Sequence, residues 1–360
     1  MASIQRPSRR SRGTVTIEDV ARAAGVSAMT VSRVINKEKN VRDKTRARVL
    51  KAVTELRYSP NMAARSLAAG EATHIGLLYS NPSAAYLSQF LVGALDEARK
   101  TGTHLVIEAC EEENDSAQTQ AATHIAAADV EGVILPPPLS ESVPILTELA
   151  KSETPVVTVA MGKVYENALN VRIDDFAAAA EITNYLINLG HRRIALIKGH
   201  PLHIAGTERE RGFRAAVSAA GLNPADVQVE QGYFTFRSGL EAAEKLLNSP
   251  RRPTAIFASN DDMAAAVVSV AHRRGLDVPG DLSVVGFDDT SPATTVWPEL
   301  TTIRQPVAAM AAAAMDLLLA DIRSRRHGLP PVPAERVLDH ELIVRESSGP
   351  PPRLKNDKRA

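Results

Sequence analysis

The residues best placed to recognise a partner lie near the start of the chain, in the run TIEDVARAAGVSAMTVSRVIN from Thr16 to Asn36. Thr16 with Asp19 three residues on makes a capping-box start, and Ile17, Val20, Ala21 and Ala24 share one face of the helix that follows. Gly25 ends that helix. Val26 fills the corner, and Ser27 caps a second short helix over Ala28–Ile35 whose start points outward. An exposed first turn of this kind enters a major groove, where side chains read base edges through hydrogen bonds and apolar contacts. The chemistry on offer is recognition of DNA without bond making.

Motifs for catalysis are missing. The chain has no GxGxxG after a strand, no GxxxxGK[ST] and no GxSxG, so the common dinucleotide, P-loop and nucleophile-elbow sites are absent. Cys110 is the single cysteine, which excludes an intrachain disulfide and a thiolate zinc site. His191, His200 and His203 are the clustered histidines. The last two lack the His-Glu-x-x-His spacing of a helical zinc site and read as loop residues within reach of a ligand. No cofactor and no metal are expected.

Charge separates the chain into two parts. Formal net charge is zero over 360 residues, yet residues 1–72 hold 15 Lys or Arg against 6 Asp or Glu, and the remainder holds 27 against 36. A basic end attracts phosphate and releases counterions, whereas an acidic body is repelled by the duplex. A solvated charged helix face is the bland alternative, and the helical pattern weighs against it. The length exceeds one ordinary core, and 44% apolar residues suffice for two or three. No run reaches the roughly 18 to 20 apolar residues of a membrane span, and the basic N-terminus has no apolar signal core. The expected location is the cytoplasm, with association to the nucleoid when DNA is bound.

These side chains need elements to position them. Residues 1–13 are Arg- and Ser-rich without apolar periodicity and read as a disordered basic arm. Residues 14–60 form a helix-turn-helix DNA-binding domain, whose third helix, over 42–57, places Val49, Ala52, Val53 and Leu56 against the first two. A short Ala-rich helix over 61–70 is marginal alone in water and belongs to a hinge and linker at 61–72. From His74 the pattern changes. HIGLLYS, HLVIEAC, GVILPPP and PVVTVA read as strands, with helices such as 86–101 and 116–128 between them; RRIALIKG, TAIFASND and LSVVGFDD repeat the pattern. Apolar strands alternating with helices imply parallel sheets covered on both faces. The fold class is α/β, with two doubly wound parallel-sheet subdomains behind a three-helix headpiece. Ligands of such sheets bind beyond the carboxyl ends of the strands, so facing subdomains imply a cleft for a small molecule.

Seven runs in order make the pattern specific: TIEDVARAAGVSAMTVSRVIN, YSPNMAARSLAAG, GHRRIALIKG, RERGF, FASNDDMAAAVV, VVGFDD and LTTIRQP. Through them the chain resembles the lactose-repressor (LacI/GalR) family of bacterial transcription regulators over residues 15–346. The resemblance implies a helix-turn-helix headpiece, a hinge helix and a periplasmic-binding-protein-like core at 73–346. Its first subdomain is expected at about 73–174 and 304–329, its second at about 175–303 and 330–346, and a disordered tail at 347–360.

The resemblance also implies roles. Ala28, Met29 and Arg33 occupy the operator-choosing positions, where Arg offers a bidentate contact to guanine and Ala or Met an apolar one. Ser27, Thr30 and Ser32 hold phosphates or cap the helix. A core methionine is the alternative for Met29. Leu67 matches the hinge leucine that wedges into the minor groove and kinks DNA, with Asn61, Ala64 and Ala68 flanking it; an ordinary linker leucine is the alternative. In the core, Arg209 matches a ligand-gripping arginine and Asp288 an acceptor of hydroxyls or amines. Phe234 matches an aromatic platform, Asn260 and Asp261 close a strand toward the same cleft, and Tyr86 stands on the opposite wall. Surface pairing with Glu208 or Glu210 is the alternative for Arg209, and a helix cap or salt bridge for Asp288. Ala160-Met161 departs from the family, which often has an acidic residue ending the fourth strand, so one hydroxyl acceptor is lost.

The expected function is a repressor of carbohydrate-use genes, released from a pseudo-palindromic double-stranded operator by a sugar-like inducer. Three alternatives stand beside it: a purine-like corepressor, an activator of the same build, and an exported sugar-binding protein, which would need a signal. An enzyme on doubly wound domains is the rival class. Residues 350–360 lack leucine heptads, so a homodimer is expected rather than a tetramer.

Overall fold

The computed structural model describes residues 16–35, 41–56, 73–112, 114–161, 169–330 and 334–352. The chain divides into two compact units at Glu71 and Ala72. The expected basic arm and the hinge residues Asn61, Ala64, Leu67 and Ala68 lie outside the described residues.

In the first unit, α1 (Ile17–Ala24), α2 (Ala28–Ile35) and α3 (Asp43–Glu55) share a small core. Thr16 Oγ1 accepts the Asp19 N–H at 3.3 Å, and the Asp19 carboxylate accepts the Thr16 N–H at 3.0 Å. That reciprocal cap, led by the Thr16 backbone bond, holds the Asp19 carboxyl below its ordinary range. Gly25 takes the left-handed conformation at φ 61, which a glycine adopts without strain. Val20, Ala21, Ala24, Val31, Val34, Val49 and Ala52 are buried together, with Ile17, Val26, Val53 and Leu56 packed against them. The apolar spacing of the sequence is therefore the packing face.

The second unit holds two six-stranded sheets among the described residues. The first contains β1 (His74–Tyr79), β2 (His104–Ala109), β3 (Gly132–Leu135), β4 (Val156–Val159), β5 (Leu169–Arg172) and β11 (Ala334–Val337), in the order β11-β5-β4-β3-β1-β2. The second contains β6 (Ile194–Ile197), β7 (Val227–Glu230), β8 (Ala255–Ala258), β9 (Ser283–Asp288), β10 (Thr301–Arg304) and β12 (Glu341–Ile343), in the order β12-β10-β9-β8-β6-β7. All pairings are parallel except β10 with β12. Helices cover both faces. In the first sheet Ile75 and Leu77 meet α4 (Ala84–Thr101) and α12 (Val307–Arg326) on one side, while Leu78 joins α5 (Asp115–Ala127) and α6 (Val143–Lys151) on the other. Period-two side-chain alternation in a doubly covered sheet requires this division.

The chain passes between subdomains three times, after β5, after β10 and after β11. This corrects two expected boundaries. Segment 330–346 is not all in the second subdomain, because β11 pairs with β5 from Ala334↔Leu169 to Val337↔Arg172; only β12 returns to the second sheet. The expected disordered tail also starts too early. Ser347 is fully buried, donates its N–H to Glu299 O at 3.0 Å and its hydroxyl to Val284 O at 2.5 Å. His191, buried, bonds Thr254, Ser283 and the Gly349 carbonyl, so it fastens this segment to the sheet. Residues 353–360 lie outside the described residues.

Candidate functional site

On the headpiece, Ser27 Oγ accepts the Thr30 N–H at 3.2 Å, and the two hydroxyls bond each other at 2.9 Å. These contacts start α2. Met29 on its first turn is 64% exposed, which excludes the core alternative. Arg33 is exposed and Ser32 half-buried, whereas Ala28 is partly packed into the headpiece core. The outward turn thus offers an apolar Met29 tip, a Thr hydroxyl and, one turn later, a guanidinium.

In the second unit a cleft lies between the two sheets and is lined from both subdomains. Tyr86, Arg209, Phe234, Asn260 and Asp288 all line it. Five of the six residues singled out from the sequence are therefore together. Asp261 is not among the lining residues: its Oδ2 accepts the Thr290 N–H at 2.7 Å and the Thr290 hydroxyl at 3.2 Å, and its Oδ1 accepts the Thr302 hydroxyl at 2.7 Å. It ties the start of its helix, Asp261–Arg273, to Thr290 and to β10. Burial, reinforced by Asp288, raises its pKa well above the ordinary carboxylate value.

Arg209 projects from α8 (Ile204–Ala219) and is 4% exposed. Its Nε donates to Asp175 Oδ1 at 2.8 Å and its Nη1 to Ser259 O at 2.6 Å. Asp288 Oδ1 lies 3.7 Å from Nη1, and the guanidinium carbon stands 3.6 Å from the centre of the Phe287 ring. The surface pairing with Glu208 or Glu210 does not form; Glu208 pairs with Arg211, and Glu210 with Arg214. The guanidinium is thus held in one plane by an anion, a carbonyl and a π face. Asp288, at the end of β9, accepts the Gln305 amide at 2.6 Å. Burial pushes its carboxyl up to about 7 against the pull of Arg209 and Gln305.

Phe234 lines the cavity and stacks on His203 with ring centres 5.6 Å apart. Asn260 donates to the Phe234 carbonyl at 2.9 Å and caps α10 (Asp261–Arg273) through the Met263 N–H at 3.0 Å. Tyr86 stands opposite with its phenol fully buried; burial raises its pKa far above the ordinary value. Among the described residues its hydroxyl has no partner, and neither has Gln305 Oε1. Each such buried atom carries a desolvation cost of about 1–3 kcal/mol until something bonds it. Ala160, Phe234 and Asp288 also adopt positive φ, 58, 59 and 110. Backbone strain of this kind concentrates at ligand sites.

Residues 16–61 match the family model described as bacterial regulatory proteins, lacI family, and residues 183–348 match that of a periplasmic binding protein-like domain. The chain is 36% identical over 309 residues to catabolite control protein A of Priestia megaterium, an alignment covering 84% of this chain and 91% of that protein. The chain belongs to the lacI family of bacterial regulatory proteins. It is also similar to the HTH-type transcriptional repressor PurR of Pectobacterium carotovorum subsp. carotovorum (strain PC1), at 35% over 315 residues, 86% of this chain and 91% of that one. Among solved structures, the transcriptional regulator CelR–cellobiose complex matches with a TM-score of 0.70 and 31% identity, covering 93% of this chain and all of that one. The lac repressor dimer bound to operator and the anti-inducer ONPF matches with a TM-score of 0.68 and 28% identity, covering 94% and 100%. As a lacI-family member the protein is a DNA-binding transcriptional regulator with a small-molecule effector, and it is not an enzyme.

The cleft of this lacI-family regulator is bridged by residues that sequence reasoning did not single out. Ser83, which caps α4, donates to Asp262 Oδ2 across the cleft at 2.6 Å, and Gln89 donates to Asp289 O at 3.2 Å. Glu141 accepts the Ile204 N–H from the other subdomain at 3.0 and 3.2 Å. Burial pushes the Glu141 carboxyl up to about 7, although the Ile204 bond opposes the shift. Asn81 orders its own loop by accepting the Ser83 N–H at 2.8 Å and donating to Pro137 O at 3.0 Å. The signal available was positional: Asn81 and Ser83 follow β1 and Glu141 follows β3, at the carboxyl ends where ligands bind.

Proposed function

We propose that the protein is a homodimeric repressor that releases a pseudo-palindromic operator when a small polyhydroxylated ligand, a sugar, enters the cleft. The observation that carries the reading is the composition of the cavity. One aromatic platform, Phe234, faces buried acceptors and donors that include two atoms without a partner among the described residues, Tyr86 Oη and Gln305 Oε1. Sugar rings present an apolar face of C–H groups and a rim of hydroxyls that both donate and accept, which suits this set. Arg209 and Asp288 serve as the charged pair at the end of the site. The similarity to a regulator solved with cellobiose supports the same class. Ala160, where the family often has an acid, leaves one wall apolar.

On the DNA side, Met29, Arg33 and the margin of Ala28 read bases, while Ser27, Thr30 and Ser32 order the turn and meet phosphates. Leu67, with Asn61 and Ala64 beside it, wedges into the minor groove. Two wedges and two headpieces require a dimer, in keeping with the dimeric lac repressor it resembles. Exposed Val92 and Leu95 on α4 and Ile107 on the neighbouring edge strand β2 supply apolar surface for a twofold interface. No helix among the described residues is long and apolar enough to cross a membrane, and the proposed site of action is the cytoplasm, on the nucleoid.

The test is a thermal-shift screen of the full chain against monosaccharides, disaccharides, sugar phosphates and purines, followed by operator anisotropy with each hit. Stabilisation by a sugar with weaker operator binding is expected. A purine hit that tightens operator binding would replace the reading with corepression. Reporter expression in a deletion strain separates repressor from activator.

A further inference from the structure

We propose that Glu112, His200 and His203 form a divalent transition-metal site that straddles the mouth of the cleft. Glu112 follows β2 in the first subdomain; the two histidines follow β6 in the second, His203 immediately before α8. One donor atom from each lies within 4.8 Å of the other two. Both imidazoles converge on the same carboxylate oxygen: His203 Nε2 contacts Glu112 Oε1, and His200 Nδ1 is 4.0 Å from it.

The donor chemistry is selective. Two imidazoles and one carboxylate suit zinc and its neighbours, whereas magnesium and calcium take oxygen sets. Zinc bonds of about 2.0–2.2 Å place ligand atoms about 3.4 Å apart in a tetrahedral shell, so the direct His203–Glu112 contact opens and the remaining donor atoms, within 4.8 Å of one another, draw in by about 1 Å. His200 Nδ1 accepts the Leu202 N–H at 3.2 Å, so that nitrogen carries its lone pair, the coordinating form. An ion would take over the lone pair from this long hydrogen bond. The rings are held in place: they lie 4.4 Å apart, His200 meets Tyr233 edge-on at 5.5 Å, and His203 stacks on Phe234. Three protein ligands leave a fourth position for water or for a ligand in the cavity that His203 also lines.

Because the donors come from both subdomains, an ion favours the closed cleft and adds to its stability by mass action. This proposal goes beyond the effector reading and does not depend on which small molecule the cavity takes.

The experiment is titration of the purified, effector-free full chain with zinc, by calorimetry and thermal melting, with cobalt as a visible-absorption probe. One ion per chain, a raised Tm and a tetrahedral cobalt band are expected. Each of His200→Ala, His203→Ala and Glu112→Gln is expected to weaken that site by more than the roughly 10–100-fold that loss of an outer partner costs. Far-UV circular dichroism and the metal-free Tm establish that the variants fold, and His200→Gln provides a second version where Ala does not. Wild type that binds no zinc, or variants that retain the one-site affinity, would overturn the proposal. Binding that survives Glu112→Gln and is lost in the histidine variants would overturn the bridge, since the ion would then sit on one subdomain.

Discussion

The proposed specificity of each unit can be tested on single side chains. Arg33→Ala is expected to cost about 1–3 kcal/mol on the specific operator and less on random DNA, as loss of one bidentate base contact does; equal losses in footprinting on both would make Arg33 a phosphate contact. In the cleft, Glu141 sets a pH dependence whose sign follows from its shift. Its folded carboxyl is pushed up to about 7 by burial, with Asp175 and Glu112 adding to the shift and His203 and the Ile204 N–H opposing it. The folded state therefore binds a proton that an unfolded glutamate, with pKa about 4.3, has released, and its contribution to stability is lost as pH rises from about 4.3 to about 7. Asp288, also pushed up to about 7, acts in the same direction. Melts across that window should show a smaller decline in Glu141→Gln than in wild type, and an unaltered decline assigns the effect elsewhere. The residue scale was also where sequence reading was most uneven. Arg209, Phe234 and Asp288 were legible through the family resemblance of the runs around them, and the cleft brings all three together. Asp261 shares the motif with Asn260, yet one residue further along the chain turns its carboxylate down onto Thr290 and Thr302. No local pattern distinguishes those two directions.

Elements were legible in proportion to their apolar content. β1, β3, β4, β6, β8 and β9 stand out as apolar runs, whereas β7 reads VQVE, β11 reads AERV and β12 has three residues. These short strands lie at sheet edges, where one side is solvated and no apolar run is required. The return of β11 to the first sheet is a tertiary choice, set by pairing with β5 rather than by its own sequence. Helix contacts carry a sharper test. A Cβ at Gly93 of α4 would stand 2.3 Å from the Ala308 carbonyl oxygen of α12, closer than real contacts allow. Gly93→Ala should destabilise the core by about 1–3 kcal/mol, the usual cost of overpacking, read as a lowered urea midpoint at constant slope. An unchanged midpoint would show that the two helices separate freely. At the hinge, Leu67→Ala is expected to retain dimer and ligand binding while reducing DNA bending in circular-permutation gel shifts; an unchanged bend removes the wedge.

At the scale of the whole molecule, regulation requires that the effector distinguish two states, since a ligand with equal affinity for both shifts nothing. The cleft provides the means. Its walls belong to two subdomains joined by three chain crossings, and Ser83–Asp262, Gln89–Asp289 and Glu141–Ile204 hold them together across the gap. A ligand bonding Tyr86 on one side and Arg209, Asp288 and Gln305 on the other adds contacts that exist only when the cleft is closed. Allosteric coupling of about 1–3 kcal/mol corresponds to a change of about 5- to 150-fold in operator affinity. Operator anisotropy should therefore show that factor between ligand-free and ligand-saturated wild type, with the ligand-bound form weaker. Asp288→Ala removes an acceptor at the end of the site and leaves Gln305 and Arg209 without that partner, so the response should shift to higher ligand concentration and shrink. Reciprocity supplies an independent check: operator DNA must weaken ligand binding by the same factor that ligand weakens operator binding. Ligand affinity unmoved by saturating operator would separate the cleft from the DNA switch, even if the ligand is a sugar, and an undiminished response in Asp288→Ala would make that carboxylate a structural partner of Gln305 and Arg209.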